Sequence, residues 1–118
     1  MIGVTVLGST GSIGISTLDV VARHRERFTV TALTARTSVD VLAEQCKQFQ
    51  PRYAVMTDPD AAERLRQQLK TVAPDVQVLA GMDGLIEVAG LPEADYVMAA
   101  IVGAAGLLPA LEAARKGK

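Results

Sequence analysis

The chain has 118 residues, of which 49% are hydrophobic and 3% aromatic, and its net charge is −1. That is the size of one domain with enough apolar material for a core, and near neutrality excludes the strong positive field of a nucleic-acid or anionic-membrane binder. One cysteine, Cys46, excludes an internal disulfide, and neither a bilayer-spanning run nor a signal-peptide pattern is present, so a cytoplasmic location is expected.

Ile2 to Leu7 is a short apolar run that reads as a strand. It feeds into Gly8, Gly11 and Gly14, and then into a helical pattern over Ser12 to His24 with Ile15, Leu18, Val21 and Ala22 on one face. Strand, glycine turn and helix form the layout that turns a helix N-terminus into a phosphate site. Glycine lets the backbone approach a diphosphate closely, and the unpaired N–H groups of the first helical turn point at the anion. The spacing is G-x-x-G-x-x-G. It is not the usual dinucleotide G-x-G-x-x-G, and it is not a P-loop, because no Lys followed by Ser or Thr comes after the last glycine. The position of the motif between a strand and an amphipathic helix predicts a nucleotide cofactor.

Asp19, inside the first helix, reads as a structural polar group. Arg23-His24-Arg25-Glu26-Arg27 follows at the far end of that helix, where cations complement the helix dipole and face water. The second strand, Thr29 to Thr34, runs into Ala35-Arg36-Thr37-Ser38. Ligands bind at the carboxyl ends of parallel strands, and an acid usually holds the adenosine ribose after the second one. Here there is no acid at the strand end. Arg36 offers a fork of donors, Thr37 and Ser38 add hydroxyls, and Ser38 opens the next helix, so a 2′-phosphate fits and NADPH is preferred over NADH.

Helix two has Ser38 as N-cap, Asp40 in its first turn and Val39, Leu42, Ala43 and Cys46 on its apolar face. Tyr53 to Met56 is strand three. Asp58-Pro59 opens helix three, with Ala61, Leu65, Leu69 and Val72 as its buried stripe. Strand four spans Val76 to Leu79, a brief helix lies near Leu85 to Ala89, and strand five spans Tyr96 to Val102. Strand five is nearly all apolar and is expected beside strand one in the sheet centre. A last helix begins near Pro109 and closes at Gly117.

Alternating short strands and helices predict an α/β fold, a Rossmann-like doubly wound parallel sheet with helices on both faces. Such a sheet usually has a sixth strand, so residues 1–118 are expected to be the N-terminal, incomplete part of a nucleotide-binding domain. No catalytic constellation, CxxC or metal-ligand cluster is visible.

Three separated segments resemble 1-deoxy-D-xylulose 5-phosphate reductoisomerases. They are Leu7-Gly8-Ser9-Thr10-Gly11-Ser12-Ile13-Gly14 with Ser16-Thr17-Leu18-Asp19-Val20-Val21, then Pro51-Arg52-Tyr53-Ala54-Val55-Met56, and Val97 through Pro109. The resemblance covers the whole chain. It implies an enzyme of non-mevalonate isoprenoid biosynthesis that rearranges 1-deoxy-D-xylulose 5-phosphate and reduces the intermediate with NADPH to 2-C-methyl-D-erythritol 4-phosphate. It also implies a divalent metal (Mg²⁺, Mn²⁺ or Co²⁺) and a homodimer. By resemblance, Thr10, Gly11, Ser12 and Ile13 contact the cofactor diphosphate and neighbouring groups, Gly8 belongs to the same cofactor-binding set, and the stretch from Ala99 to Gly103, with Ala100 and Gly103, lines the cofactor cleft. Many members carry a Gly-Lys-Asn-like triplet where this chain has Arg36-Thr37-Ser38, so the positive charge is moved by one position. The family's metal ligands, substrate-phosphate residues and lid are expected beyond Lys118, leaving no catalytic or metal residue in this chain. Two alternatives stay open: another NAD(P)H reductase with a similar N-terminal domain, or a nucleotide-sensing domain without chemistry.

Overall fold

Five parallel strands form one sheet in the order β4-β3-β2-β1-β5, in a computed structural model that describes residues 2–92 and 94–99. The elements are β1 (Ile2–Leu7), α1 (Ser12–Arg23), β2 (Phe28–Ala35), α2 (Val39–Phe49), β3 (Tyr53–Met56), α3 (Pro59–Val72), β4 (Gln77–Ala80), α4 (Gly81–Ala89) and β5 (Tyr96–Ala99). From β1 the chain steps outward strand by strand to β4, and α4 then carries it back across to β5 on the other side of β1. Right-handed crossovers put helices that step in opposite directions on opposite faces. Leu18 and Val21 of α1, Leu42 and Cys46 of α2, and Leu65 and Leu69 of α3 accordingly share one core with Val4, Val6, Leu33 and Met56. Leu85, Val88 and Ala89 of α4 share the other with Leu7, Ala32 and Val55. The fold is the expected Rossmann-like α/β sheet, and its direction of travel reverses between β1 and β5.

Several details differ from expectation. Ile15, expected on the buried face of α1, is 49% exposed. The buried line runs through Gly14, Leu18 and Val21, because a Cβ on Gly14 would stand 2.5 Å from the Gly8 carbonyl oxygen and 2.6 Å from the Ser9 Cα. At this glycine the helix backbone packs against the loop that follows β1, and with Gly14 facing the loop Ile15 faces outward. Val72 is 39% exposed because the α3 stripe steps in fours through Ala61, Leu65 and Leu69 to the buried Ala73. Asp19 serves the helix as a surface polar group, since it is exposed and pairs with Arg23 one turn on at 2.9 Å, a pair of small energetic worth.

The short helix starts at Gly81, four residues before the expected Leu85. Gly84 lies against Leu79 and Val55, so tertiary packing holds a first turn that glycine propensity argues against. β5 pairs with β1 as expected, but among the described strands it is an edge of the sheet. Ala100 to Val102 and the helix expected from Pro109 lie outside the described residues.

Candidate functional site

The β1–α1 turn lies at the carboxyl ends of the strands, beside the reversal point where open parallel sheets leave a ligand crevice. Gly8 takes φ +77°, the left-handed conformation that an L side chain resists, and this turns the chain off β1. Its N–H donates to Thr34 Oγ1 (2.8 Å), and the next N–H, of Ser9, donates to the Thr34 carbonyl (2.8 Å). The Gly8 carbonyl turns toward the helix and accepts from Gly11 N–H (3.1 Å). Ser9 is fully buried; its hydroxyl donates to Gln45 Oε1 (2.7 Å), and Gln45 Nε2 donates back to the Ser9 carbonyl (2.9 Å). The loop is thus fixed from beneath by the end of β2 and the middle of α2.

Gly11 is the N-cap of α1. It brings no side chain to the orphan amides of the first turn, and no acid stands in that turn to compete with an anion. The protein itself does not require glycine there. The backbone is extended (φ −79°, ψ 169°), and a Cβ would meet only the Gly8 carbonyl, at an ordinary 3.5 Å. The three glycines therefore differ: Gly8 makes the turn, Gly14 makes the packing, and Gly11 leaves space over a helix N-terminus. Thr10 is half-buried at the head of the loop, and Ser12 and Ile13 are the first two residues of α1.

Arg36, Thr37 and Ser38 follow β2 on the same rim and are all exposed. The Arg36 carbonyl accepts from Asp58 N–H (3.2 Å), which ties this loop to the start of α3 and leaves the guanidinium side chain to solvent. Ser38 is the N-cap of α2, although its hydroxyl makes no capping bond; Asp58 does cap α3, accepting from Ala61 N–H at 3.2 Å. Thr34 joins the two loops, since the residue that anchors Gly8 and Ser9 stands two positions before Arg36. Ala100 and Gly103 lie outside the described residues.

The basic run at Arg23 to Arg27 sits at the opposite rim, where the exposed His24 accepts Phe28 N–H (3.0 Å) through its carbonyl. Clefts among the described residues include one of about 180 Å³ between α1 and α2, lined by Ile15, Asp19, Gln45, Gln48 and Phe49, and one of about 270 Å³ beside α3 and β4. The first is poorly suited to a phosphate, since its ionisable group is a carboxylate. Neither includes Gly8 to Gly11. Among the described residues no three His, Cys, Asp or Glu side chains converge on a point, and no helix is long and apolar enough to cross a membrane.

Sequence reasoning passed over Thr34 and Gln45. A signal existed for the second: Gln45 falls between Leu42 and Cys46 in the apolar stripe of α2, where an amide must find buried partners.

A family model described as 1-deoxy-D-xylulose 5-phosphate reductoisomerase matches residues 4–118. A curated protein of that description from Nitrosococcus oceani is 60% identical over 118 residues, all of this chain and 30% of its own length. One from Nitrosomonas europaea is 60% identical over 114 residues, 97% of this chain and 28% of its own length. Among solved structures, the chain is similar to the Zymomonas mobilis reductoisomerase in complex with NADPH (TM-score 0.93, 46% identity, 99% of this chain and 30% of that one). It is also similar to a DOX-P reductoisomerase with NADPH, fosmidomycin and magnesium (TM-score 0.95, 41% identity, 100% of this chain and 29% of that one). The chain thus spans about 30% of the length of these relatives.

Proposed function

Because the chain belongs to the 1-deoxy-D-xylulose 5-phosphate reductoisomerase family, we propose that it supplies the NADPH-binding part of such an enzyme. The whole enzyme then converts 1-deoxy-D-xylulose 5-phosphate to 2-C-methyl-D-erythritol 4-phosphate, acting on a phosphorylated sugar in the cytoplasm as a homodimer. NADPH supplies the hydride. This chain's own residues bind and orient it. The amides of Thr10, Ser12 and Ile13 take the diphosphate at the helix N-terminus, Gly11 leaves room for it to approach, and Gly8 sets the turn that aims them. Arg36, with Thr37 and Ser38, takes the 2′-phosphate. Ala100 and Gly103 are assigned to the cleft wall by family resemblance. The divalent metal is proposed for the whole enzyme and is given no ligand among the described residues, which hold no suitable cluster.

The carrying observation is Gly11, a helix N-cap where a Cβ would fit at an ordinary contact distance, so that the fold has no internal need for glycine there. The same reading is supported by a bound NADPH in a similar solved structure. The test is calorimetric titration with NADPH and with NADH, alongside Arg36→Asp. NADPH should bind more tightly than NADH, and the variant should lose that preference while keeping NADH. Absence of binding of either nucleotide to a folded protein would overturn the reading.

A further inference from the structure

We infer that Gln45 is a positioning residue that aims the Ser9–Thr10 peptide at the cofactor diphosphate, a role that rests on the nucleotide-binding reading above. Gln45 sits on α2, 36 residues from Ser9, and is 9% exposed. Its amide makes two bonds to one loop residue. Nε2 donates to the Ser9 carbonyl (2.9 Å), and Oε1 accepts the Ser9 hydroxyl (2.7 Å). Only a side chain carrying a donor and an acceptor at one end closes both bonds.

The consequence follows from peptide geometry. A trans peptide points its C=O and N–H in opposite directions, and no cis bond occurs among the described residues. With the Ser9 carbonyl drawn inward to α2, the Thr10 N–H must point away from α2. The Ser9 N–H is meanwhile held by the Thr34 carbonyl, so the peptides on both sides of Ser9 are fixed. An amide already aimed outward binds an anion without a reorientation cost, which is how preorganisation raises affinity. The clasp also joins α2, the helix that follows the Ser38 N-cap, to the glycine loop, so the 2′-phosphate and diphosphate ends share one support.

The test compares the parent protein with Gln45→Met and Gln45→Glu, using NADP⁺ as the probe and thermal melting as the fold control. Methionine keeps the bulk and loses both bonds. NADP⁺ affinity should fall roughly tenfold, the effect of one or two lost neutral hydrogen bonds. In the Gln45→Glu variant an ionised carboxylate accepts the Ser9 hydroxyl but cannot donate to the Ser9 carbonyl; a protonated one restores the donor. This variant should therefore bind weakly near pH 8 and recover toward the parent at about pH 5.5, where a buried carboxyl regains its proton. Affinities are read as a ratio to the parent at each pH, which cancels pH effects common to both proteins, those of the nucleotide phosphates included; Asp19, the carboxylate across the α1–α2 cleft, is present in both. The methionine variant should show no recovery. Parent-like binding by both variants, or a lowered melting point with unchanged affinity, would overturn the clasp alone. Failure of the parent to bind NADP⁺ would overturn the nucleotide reading and the clasp with it.

Discussion

The two loops at the carboxyl rim are built in opposite ways. The β1–α1 loop is made of backbone. Ser9 and Thr34 are fully buried, Gly8 and Ser9 donate to Thr34, and Gln45 closes the network from α2. The β2–α2 loop is made of side chains; Arg36, Thr37 and Ser38 are exposed, and Ser38 leaves its helix without a side-chain cap. The difference matches the two halves of the proposed ligand. A diphosphate is common to every dinucleotide and suits a fixed cradle of amides, whereas a 2′-phosphate distinguishes one cofactor from another and suits exchangeable surface groups. Substitutions at the buried or tightly packed positions of the first loop should therefore cost folding, whereas those at Gly11 should cost binding and those in the second loop only selectivity.

The largest effect is expected at Gly14. Its added Cβ would meet backbone atoms of Gly8 and Ser9 at 2.5 to 2.8 Å, and backbone cannot swing aside as a side chain can. Gly14→Ala should lose about 3 kcal/mol or more of stability in denaturant unfolding. Gly11→Ala sharpens the contrast, because its Cβ meets nothing closer than 3.5 Å. It should cost under about 1 kcal/mol of stability yet weaken NADPH binding at least tenfold, by holding the diphosphate off the helix amides. Equal destabilisation by the two alanines would contradict the division of labour among the glycines.

Thr34→Val should come next. It keeps the shape, removes the acceptor of the Gly8 N–H, and leaves a part-buried donor unpaired, for a cost of about 1–3 kcal/mol. Arg36→Ala follows, with stability within about 0.5 kcal/mol of the parent and NADPH affinity lower by roughly tenfold or more while NADH is unaffected. A matching loss for NADH would move Arg36 from the 2′-phosphate to a general role.

Much of this rim is legible in the sequence, and the reasons are local. The β-branched run, the three glycines and the helical period lie within one short window, so the strand, the turn and the N-terminus can be read together. Asp58-Pro59 announces α3 in the same way, and Asp58 does cap it. What escapes depends on partners far along the chain. Gly14 looks neutral in a periodicity count, so Ile15 is counted into the buried face although the glycine contact turns it outward. Between β1 and β2, Val4 pairs with Val30 and Thr5 with Ala32, so one extra residue in β2 changes which side chains face which core. No alternation within β2 alone predicts that Val30 and Leu33 share a face. Gln45 is visible as a misfit in an apolar stripe, but its partner Ser9 is fixed only when α2 docks on the sheet.

The smallest expected effect, at Cys46, asks whether the rigid loop opens from behind. Cys46 follows Gln45 on α2 and is fully buried, and burial pushes its thiol from an ordinary 9.0 up to about 12. The folded chain therefore keeps this proton after the unfolded chain has lost it. The resulting stability is fully present below about pH 9 and is lost as pH rises toward 12, so it leaves no trace near neutrality. Near pH 8 a thiol reagent needs the thiolate and access, and the native site offers little of either, so labelling waits for α2 to open. Bound NADPH should slow labelling, and Gly14→Ala should speed it. Arg36→Ala should leave the rate within about twofold of the parent, since an exposed loop side chain carries little of the folding energy. Acceleration by Arg36→Ala equal to that from Gly14→Ala would mean that the two loops share one opening event, and the rigid cradle would then be no more fixed than the surface beside it.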